Sequence, residues 1–297
     1  MLILNGKLVA ESRFARLKTR VESFNAQHSR APGLAVILVG ENPASQVYVR
    51  NKTKVCADLG MTSRQINLPA TCSQAELEAK LTELNEDPEI HGILVQLPLP
   101  KNLNEEKAMD KIKATKDADG LHIENQGLLW AGRPRIIPCT PNGVMAILEH
   151  YKIPLKAKNA VVIGRSQIVG KPMANLLLTA DATLSICHSK TSNLFDYTRE
   201  ADIVVVAAGQ PRFLGREAFK KDAVVIDVGM HRPSAGDYTG KLCGDVRFEE
   251  LDGWASAATP VPGGVGPMTI QMLMENTFHL AELATERVDL RHGQKQK

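Results

Sequence analysis

N-A-V-V-I-G-R-S-Q-I-V-G-K-P, Asn159 to Pro172, is the stretch whose reading decides the fold. A short β-branched run, Ala160 to Ile163, stops at Gly164; Gly170 and Pro172 follow, and Met173 to Ala180 reads as helix. Strand, glycine turn and helix N-terminus in that order make an anion site, because backbone N–H groups and the helix dipole both face the turn. Glycine lets a phosphate approach the main chain and tolerates φ > 0. The stretch departs from G-x-G-x-x-G. Ser166 stands where the second glycine would fall, Val169 where the third would, and the later glycine comes one place on. Spacing alone leaves an ordinary strand–helix connection open beside a nucleotide-binding turn.

Downstream of this turn, apolar runs recur at βα spacing: Ala182–Cys187, Ile203–Ala207, Ala223–Val228 and Ala255–Thr259. Helical patterns lie between most of them, which predicts a doubly wound α/β unit. Thr269 to Leu283 then reads as a long apolar helix. Upstream, strands are expected at Leu34–Val39, Ser63–Leu68 and Ile90–Leu97, the last halted by Pro98 and Pro100. Helices are expected at Ser12–His28, at Val47–Leu59 closed by Gly60, and at Ser73–Asn85. Ser73 and Glu76 form a capping box there, and Leu77, Leu81 and Leu84 an apolar stripe. This half also alternates strand and helix, so a mostly parallel sheet is expected. Asn102 to Gly132 reads as irregular apart from a short helix near Glu105–Ile112. Thr140-Pro-Asn-Gly reads as a helix start with Thr140 as cap and Pro141 at the first helical position.

A chain of 297 residues favours two domains, and 43% hydrophobic content supports ordinary cores. A net charge of +3 is too weak and too evenly spread for a nucleic-acid footprint. The one dense basic cluster, Arg287 to Lys297, reads as a frayed terminus rather than a binding arm. Five widely spaced cysteines with no C-x-x-C read as reduced thiols of a cytoplasmic protein, without a zinc site. The start M-L-I-L-N-G-K-L-V-A lacks the layout of a signal peptide. No apolar run approaches the ~20 residues that span a bilayer, so no membrane partner is expected.

The chemistry-bearing residues each carry two readings. The strand end Ile186 to Thr191, I-C-H-S-K-T, holds Ser189 and Lys190 where an NAD enzyme would hold an acid, and Arg165 sits in the glycine turn. Hydroxyl and cation donors suit a 2′-phosphate, hence NADP over NAD; the plainer alternative is a set of solvated loop residues. Ser45, Tyr48 and Lys52 fall on one helix face at i, i+3 and i+7. A partly desolvated lysine beside a tyrosine could shuttle protons, but spacing alone favours a snorkelling Tyr and a surface Lys. Gln96 ends a buried strand, where α/β sheets bind ligands, or simply bonds a loop. Asp119 in D-A-D-G could accept from a heterocycle or serve a turn. Pro260 to Thr269, P-V-P-G-G-V-G-P-M-T, is a composition too costly for mere connection, which favours a functional loop. His122, His188 and His231 have no metal-ligand spacing, and no metal is expected.

Together these strings resemble the bifunctional methylenetetrahydrofolate dehydrogenase/methenyltetrahydrofolate cyclohydrolase family. The resemblance runs from Asn5-Gly6-Lys7 to the helix ending near Leu283. It is carried by A-S-Q-V-Y-V-R-N-K (44–52), G-I-L-V-Q-L-P-L-P (92–100), K-D-A-D-G (116–120), P-C-T-P-N-G (138–143), V-V-I-G-R-S-Q-I-V-G-K-P (161–172) and P-V-P-G-G-V-G-P-M-T (260–269). It implies an α/β homodimer of two-domain subunits: 1–140 with 270–297 as the catalytic, folate-binding domain, and 141–269 as a Rossmann-like NADP-binding domain. The C-terminal helix would return to the first domain. The family's catalytic positions fall on Lys52, Tyr48, Gln96, which bonds the lysine, and Asp119, which anchors the pterin. Val95, Gln96 and Leu97, with Pro262, Gly263 and Gly266, would line the folate side. Gly164, Arg165 and Ser166 would hold NADP, with Ser189 by the 2′-phosphate and Met230 near the nicotinamide. The implied reactions belong to one-carbon metabolism, which feeds purine, histidine and methionine biosynthesis. Many relatives carry Pro where this chain has Ile123, and no counterpart of the formyl-tetrahydrofolate ligase domain is expected. Alternatives are a shikimate-type NADP dehydrogenase, a protein with one of the two folate activities, and a non-catalytic nucleotide-binding regulator.

Overall fold

A computed structural model describes residues 1–235 and 238–294, with side chains except at 44 and 287–294. The elements run β1 (Leu2–Ile3), α1 (Gly6–His28), β2 (Gly33–Val39), α2 (Pro43–Asp58), β3 (Thr62–Leu68), α3 (Gln74–Glu86), β4 (Gly92–Val95), α4 (Glu105–Lys111), α5 (Ile123–Trp130) and α6 (Cys139–His150). They continue β5 (Asn159–Ile163), α7 (Gly170–Thr179), β6 (Thr183–Cys187), α8 (Leu194–Thr198), β7 (Ile203–Val206), β8 (Val224–Asp227), β9 (Ala257–Ala258) and α9 (Val265–Gln294). The chain divides into two compact units. One joins Met1–Ser12 to Pro138–Met272; the other joins Arg13–Ile137 to the chain from Leu273 onward. The sequence boundaries differ from this division chiefly at the first residues, because β1 pairs in parallel with β9.

The Arg13–Ile137 unit holds a three-stranded, all-parallel sheet in the order β3-β2-β4. Every residue of β2 and β4 is buried, which is why both read as unbroken apolar runs rather than alternations. β3 carries only exposed and half-buried residues, as an edge strand does. α3 starts as expected: Ser73 Oγ accepts from the Glu76 N–H while Glu76 takes the Ser73 N–H, and Leu77, Leu81 and Leu84 are buried. They join Ile37, Ile93, Val95 and Met109 in one core. The part of α9 beyond Leu273 is held to α1 by the two-pronged Arg13–Glu275 pair, with 2.9 and 2.7 Å bonds. Edge-on contact of Phe24 with Phe278 adds to it. The C-terminal helix therefore does return to this unit.

The other unit is a six-stranded parallel sheet in the order β1-β9-β8-β7-β5-β6. Its inner strands β5, β7 and β8 are almost wholly buried and pack Val161, Ile163, Val204, Val206 and Val225 into one core. Chain order reverses at β5, with β6 on one side and β7 on the other. That makes the carboxyl ends of β5 and β7 the topological switch point, where open α/β sheets take ligands.

Four local expectations are corrected. Residues 123–130 form α5 rather than an irregular stretch; its apolar Leu128, Leu129 and Trp130 lie among polar neighbours, and the cap is His122, whose Nδ1 accepts from the Glu124 N–H at 3.0 Å. Thr140 is inside α6 and caps nothing; its hydroxyl sits 3.0 Å from that of Thr269. The Pro260–Thr269 string is only partly loop, since α9 begins at Val265 and places Gly266 in its first turn. β4 ends at Val95, short of the expected Leu97, as the proline pair takes over, although the Gln96 N–H still bonds the Ile37 carbonyl at 2.8 Å. The side chains of the basic cluster Arg287 to Lys297 lie outside the described residues.

Candidate functional site

The first constellation belongs to the Arg13–Ile137 unit. α2 buries Ser45, Val49, Lys52 and Cys56, successive steps of one helical stripe. Lys52 interrupts an otherwise small or apolar face, so packing draws its stem inward and leaves it 6% exposed. Its Nζ donates to Gln96 Oε1 at 2.9 Å. The Gln96 amide is itself turned by its own Nε2, which donates to the Leu97 carbonyl at 2.7 Å. The amide oxygen is thereby committed to the lysine, and the β4 terminus fixes where the ammonium sits. The Tyr48 ring lies one turn back on α2, 5.9 Å from Nζ, and burial raises the Tyr48 phenol above its ordinary value. The surface-lysine reading is thus replaced by a buried lysine held by a strand-end amide.

Asp119 is half-buried in the loop after Lys116. Its neighbour Asp117 builds that loop: the buried carboxylate accepts from the N–H groups of Gly120 (3.0 Å) and His122 (2.8 Å) and from Asn125 Nδ2 (2.8 Å). Arg135 donates in turn to Asn125 Oδ1 at 2.9 Å. The D-A-D-G string therefore holds two acids in different settings, Asp117 buried under the turn and Asp119 half-buried beside it. Sequence reading missed Asp117, Asn125 and Arg135. Ile123 is 70% exposed at the first position of α5, and its N–H donates to Asp110 Oδ1 at 3.4 Å, a bond that a proline there could not make.

The second constellation belongs to the unit of the six-stranded sheet. Gly164 has φ 130°, and a Cβ there would collide with the Ala207 carbonyl. A Cβ at Gly170 would strike the Gly164 carbonyl. The two glycines thus allow the turn after β5 to fold tightly against both the loop after β7 and the start of α7. Ser166 Oγ accepts from the N–H groups of Val169 (3.2 Å) and Gly170 (3.3 Å), taking over the shaping role that a second glycine would have. Arg165, Ser166 and Ser189 are exposed around this turn, and Met230, 40% exposed, follows β8. The strand-end segment His188 to Thr191 carries no acid. Its hydroxyl and amide groups bond locally, with the His188 N–H on Thr191 Oγ1 at 2.9 Å and the Lys190 N–H on His188 Nδ1 at 3.1 Å. A tight glycine turn at a switch point, a helix N-terminus and an exposed Arg–Ser set fit a dinucleotide with a 2′-phosphate. Val95 and Leu97 flank Gln96 in the first constellation. Pro262 and Gly263 belong to the second unit, in the turn that precedes α9.

Sequence reading also missed two acids here. Asp227 ends β8, and Asp245 follows Gly244; both are buried. Their carboxylates accept six backbone N–H groups between them. An acid closing the apolar strand V-V-I-D was the visible signal. Among the described residues no group of three or more His, Cys, Asp or Glu could hold a metal ion.

Comparison with known proteins gives a consistent picture. The family description "Tetrahydrofolate dehydrogenase/cyclohydrolase, catalytic domain" matches residues 4–119. Its companion, the NAD(P)-binding domain, matches residues 138–285. A "Bifunctional protein FolD" of Bdellovibrio bacteriovorus is 58% identical over 282 residues, 95% of this chain and 97% of the relative. The crystal structure of the bifunctional FolD methylenetetrahydrofolate dehydrogenase/cyclohydrolase of Campylobacter jejuni is 46% identical with a TM-score of 0.91, covering 97% of this chain and 99% of that one. The Trypanosoma brucei enzyme, solved with NADP cofactor and an inhibitor, is 39% identical with a TM-score of 0.91, covering 96% and 98%.

Proposed function

Because the chain belongs to the tetrahydrofolate dehydrogenase/cyclohydrolase family, we infer that it carries out both reactions of that family. It oxidises 5,10-methylenetetrahydrofolate to the 5,10-methenyl form and hydrolyses that form to 10-formyltetrahydrofolate. Family membership decides against the shikimate-type and regulator alternatives. The observation that carries the catalytic assignment is the 2.9 Å bond from buried Lys52 to Gln96 beside Tyr48.

NADP⁺, when bound, supplies the hydride acceptor for the bridging methylene carbon. Gly164, Arg165 and Ser166 would hold it, Ser189 would meet its 2′-phosphate, and Met230 would lie towards its nicotinamide. These residues bind and orient; a well-oriented pair of reacting centres gains several kcal/mol, about 7–11 kcal/mol at the upper end, from entropy already lost on binding. On the folate side Lys52 manages protons in the second reaction, when water adds to the methenyl carbon and the imidazolinium ring opens. Gln96 fixes the direction of the lysine's N–H bonds. Tyr48 limits water around it and offers a hydroxyl, and Asp119 accepts from the pterin ring. Val95 and Leu97 shape the remaining folate contacts of this unit.

The proposed domain roles are folate for 1–140 with 270–297 and NADP for 141–269, with Met1–Ser12 packed into the six-stranded unit. A homodimer is the expected assembly, consistent with the family resemblance and with β3 forming one edge of its sheet. Light scattering at twice the 32.4 kDa chain mass would support it, and a monomer at micromolar concentration would refute it. A cytoplasmic location is proposed on the reduced-thiol pattern. No described helix is long and apolar enough to cross a membrane, and fractionation of cells tests the location.

The central test incubates purified protein with 5,10-methylenetetrahydrofolate and NADP⁺ while following NADPH and methenyl absorbance. The expected record is NADPH formation with a methenyl signal that rises and decays. No NADPH would overturn the reading. NADPH with a methenyl signal that decays no faster than without protein would reduce it to the dehydrogenase alone.

A further inference from the structure

The two buried aspartates of the six-stranded unit have no part in the site assigned above, yet they stand directly behind it. Asp245 is 0% exposed. Its Oδ2 accepts from the N–H groups of Ala208 (2.7 Å) and Gly209 (3.0 Å), and its Oδ1 from that of Gln210 (2.9 Å). Three successive amides converging on one anion is the arrangement of a backbone anion nest, here filled by the protein's own carboxylate. Oδ1 also lies 2.6 Å from His231 Nε2. Asp227 Oδ1 accepts from the backbone N–H of Asp245 (3.0 Å) and from that of Gly229 (2.9 Å), and its Oδ2 from that of Val246. Gly244 is required for this approach, since a Cβ there would overlap the Asp227 carboxylate.

The amides gathered by Asp245 are those of the loop leaving β7, one side of the switch point. Its first carbonyl, Ala207, is the atom against which Gly164 is packed. The loop leaving β8 carries Met230 and is gripped at Gly229 and His231. One acid thus sets the wall facing the glycine turn and, through His231, the segment at the other end of the dinucleotide site. We propose that Asp245 is a positioning residue for the NADP side of the reaction, holding loop 207–210 and the Met230 segment in the geometry that binds the cofactor. The proposal rests on the cofactor assignment made above.

The enzyme contains its own control, because the hydrolysis of methenyltetrahydrofolate consumes no NADP. Asp245→Asn preserves shape but turns one acceptor into a donor facing an amide N–H or the His231 ring. The expected result is a rise of tenfold or more in KM and Kd for NADP, a lower kcat for the dehydrogenase, and cyclohydrolase activity within twofold of wild type. A merely structural role would lower the melting temperature and leave the NADP constants of the folded protein alone. His231→Ala, at a partly exposed position, is the second variant, with an expected threefold rise in KM for NADP. Should Asp245→Asn not fold, this variant decides alone. NADP constants within twofold of wild type in every folded variant would overturn the proposal. Arg165→Ala is run alongside. If it weakens NADP while the Asp245 and His231 variants do not, the cofactor assignment stands and the positioning role falls. If none of the three alters NADP binding, the cofactor assignment itself has failed.

Discussion

Lys52 and Gly164 reach their positions by opposite routes. Lys52 is drawn inward by a helix stripe, and its chemistry lies in a side chain whose partner, Gln96, directly follows β4, 44 residues on. Gly164 offers no side chain; its use lies in a backbone that can take φ 130° and press against Ala207. The folate-side constellation is therefore a set of side chains oriented by packing. The dinucleotide-side constellation is a set of main-chain turns oriented by buried acids. Side-chain sites fail one function at a time when mutated, whereas turn sites fail through geometry, and the two halves should respond to substitution in those different ways.

The largest expected effect separates the two activities. Lys52→Met keeps much of the stem that fills the α2 stripe but removes the proton-carrying nitrogen. Cyclohydrolase activity is expected to fall ~10²–10⁴-fold, the usual weight of a general acid–base group, while part of the dehydrogenase survives. Stopped-flow decay of methenyltetrahydrofolate measures it, and undiminished decay would remove Lys52 from the mechanism. Gly164→Ala should do the reverse. Strain at such a backbone position costs about 2 kcal/mol, roughly 30-fold if all of it appears in NADP binding. Dehydrogenase KM for NADP should rise accordingly with cyclohydrolase nearly unchanged. Equal losses in both activities would show that the two constellations are not separable.

The same contrast explains what the sequence could reveal. The glycine turn is legible because its requirement is local: a strand, a glycine and a helix start lie within fourteen residues. The parallel strands are legible because burial on both faces removes polar residues from β2, from β7 and from β5 after Asn159. Lys52 is not legible from spacing, since a lysine on a helix is ordinary until Val49 and Cys56 are known to be buried beside it. The resemblance, not the spacing, pointed to it. Asp245 is harder still: its partners are backbone amides more than thirty residues upstream, and no side-chain pattern records them. α5 was lost because Asp117, Asn125 and Arg135 fold its approach through tertiary bonds rather than through helical periodicity.

Arg165 tests whether the turn half also contains any side-chain chemistry. It is exposed, so its contact with a 2′-phosphate would be partly screened by salt. Arg165→Ala is expected to raise KM for NADP by roughly tenfold, the low end for a hydrogen bond to a charged group, and to leave KM for NAD nearly unchanged. A similar rise for both cofactors would mean that Arg165 holds the common part of the dinucleotide and that the 2′-phosphate is read elsewhere.

The smallest effect concerns what holds the turn half together. Burial raises the Asp227 carboxyl to about 7, against the pull of the Val246, Asp245 and Gly229 N–H groups, and the neighbouring Asp245 raises it further. Cys243 lies near enough to feel both acids, and His231 reaches the pair through Asp245. A folded-state value above the unfolded one means that the native protein holds this proton more tightly. The stabilisation is complete below about pH 4, declines as pH rises, and is lost once pH passes about 7. Between pH 5.5 and 8 the decline should amount to about 2 kcal/mol. Asp227→Asn lowers stability at every pH, because its amide must face one of the N–H groups, but it removes the proton and with it the slope. Urea denaturation at both pH values should therefore show a wild-type decline that the variant lacks. Parallel curves for the two proteins would mean that Asp227 stays ionised, so that the turn half, unlike Lys52 and Gln96, is held by a permanent anion insensitive to pH.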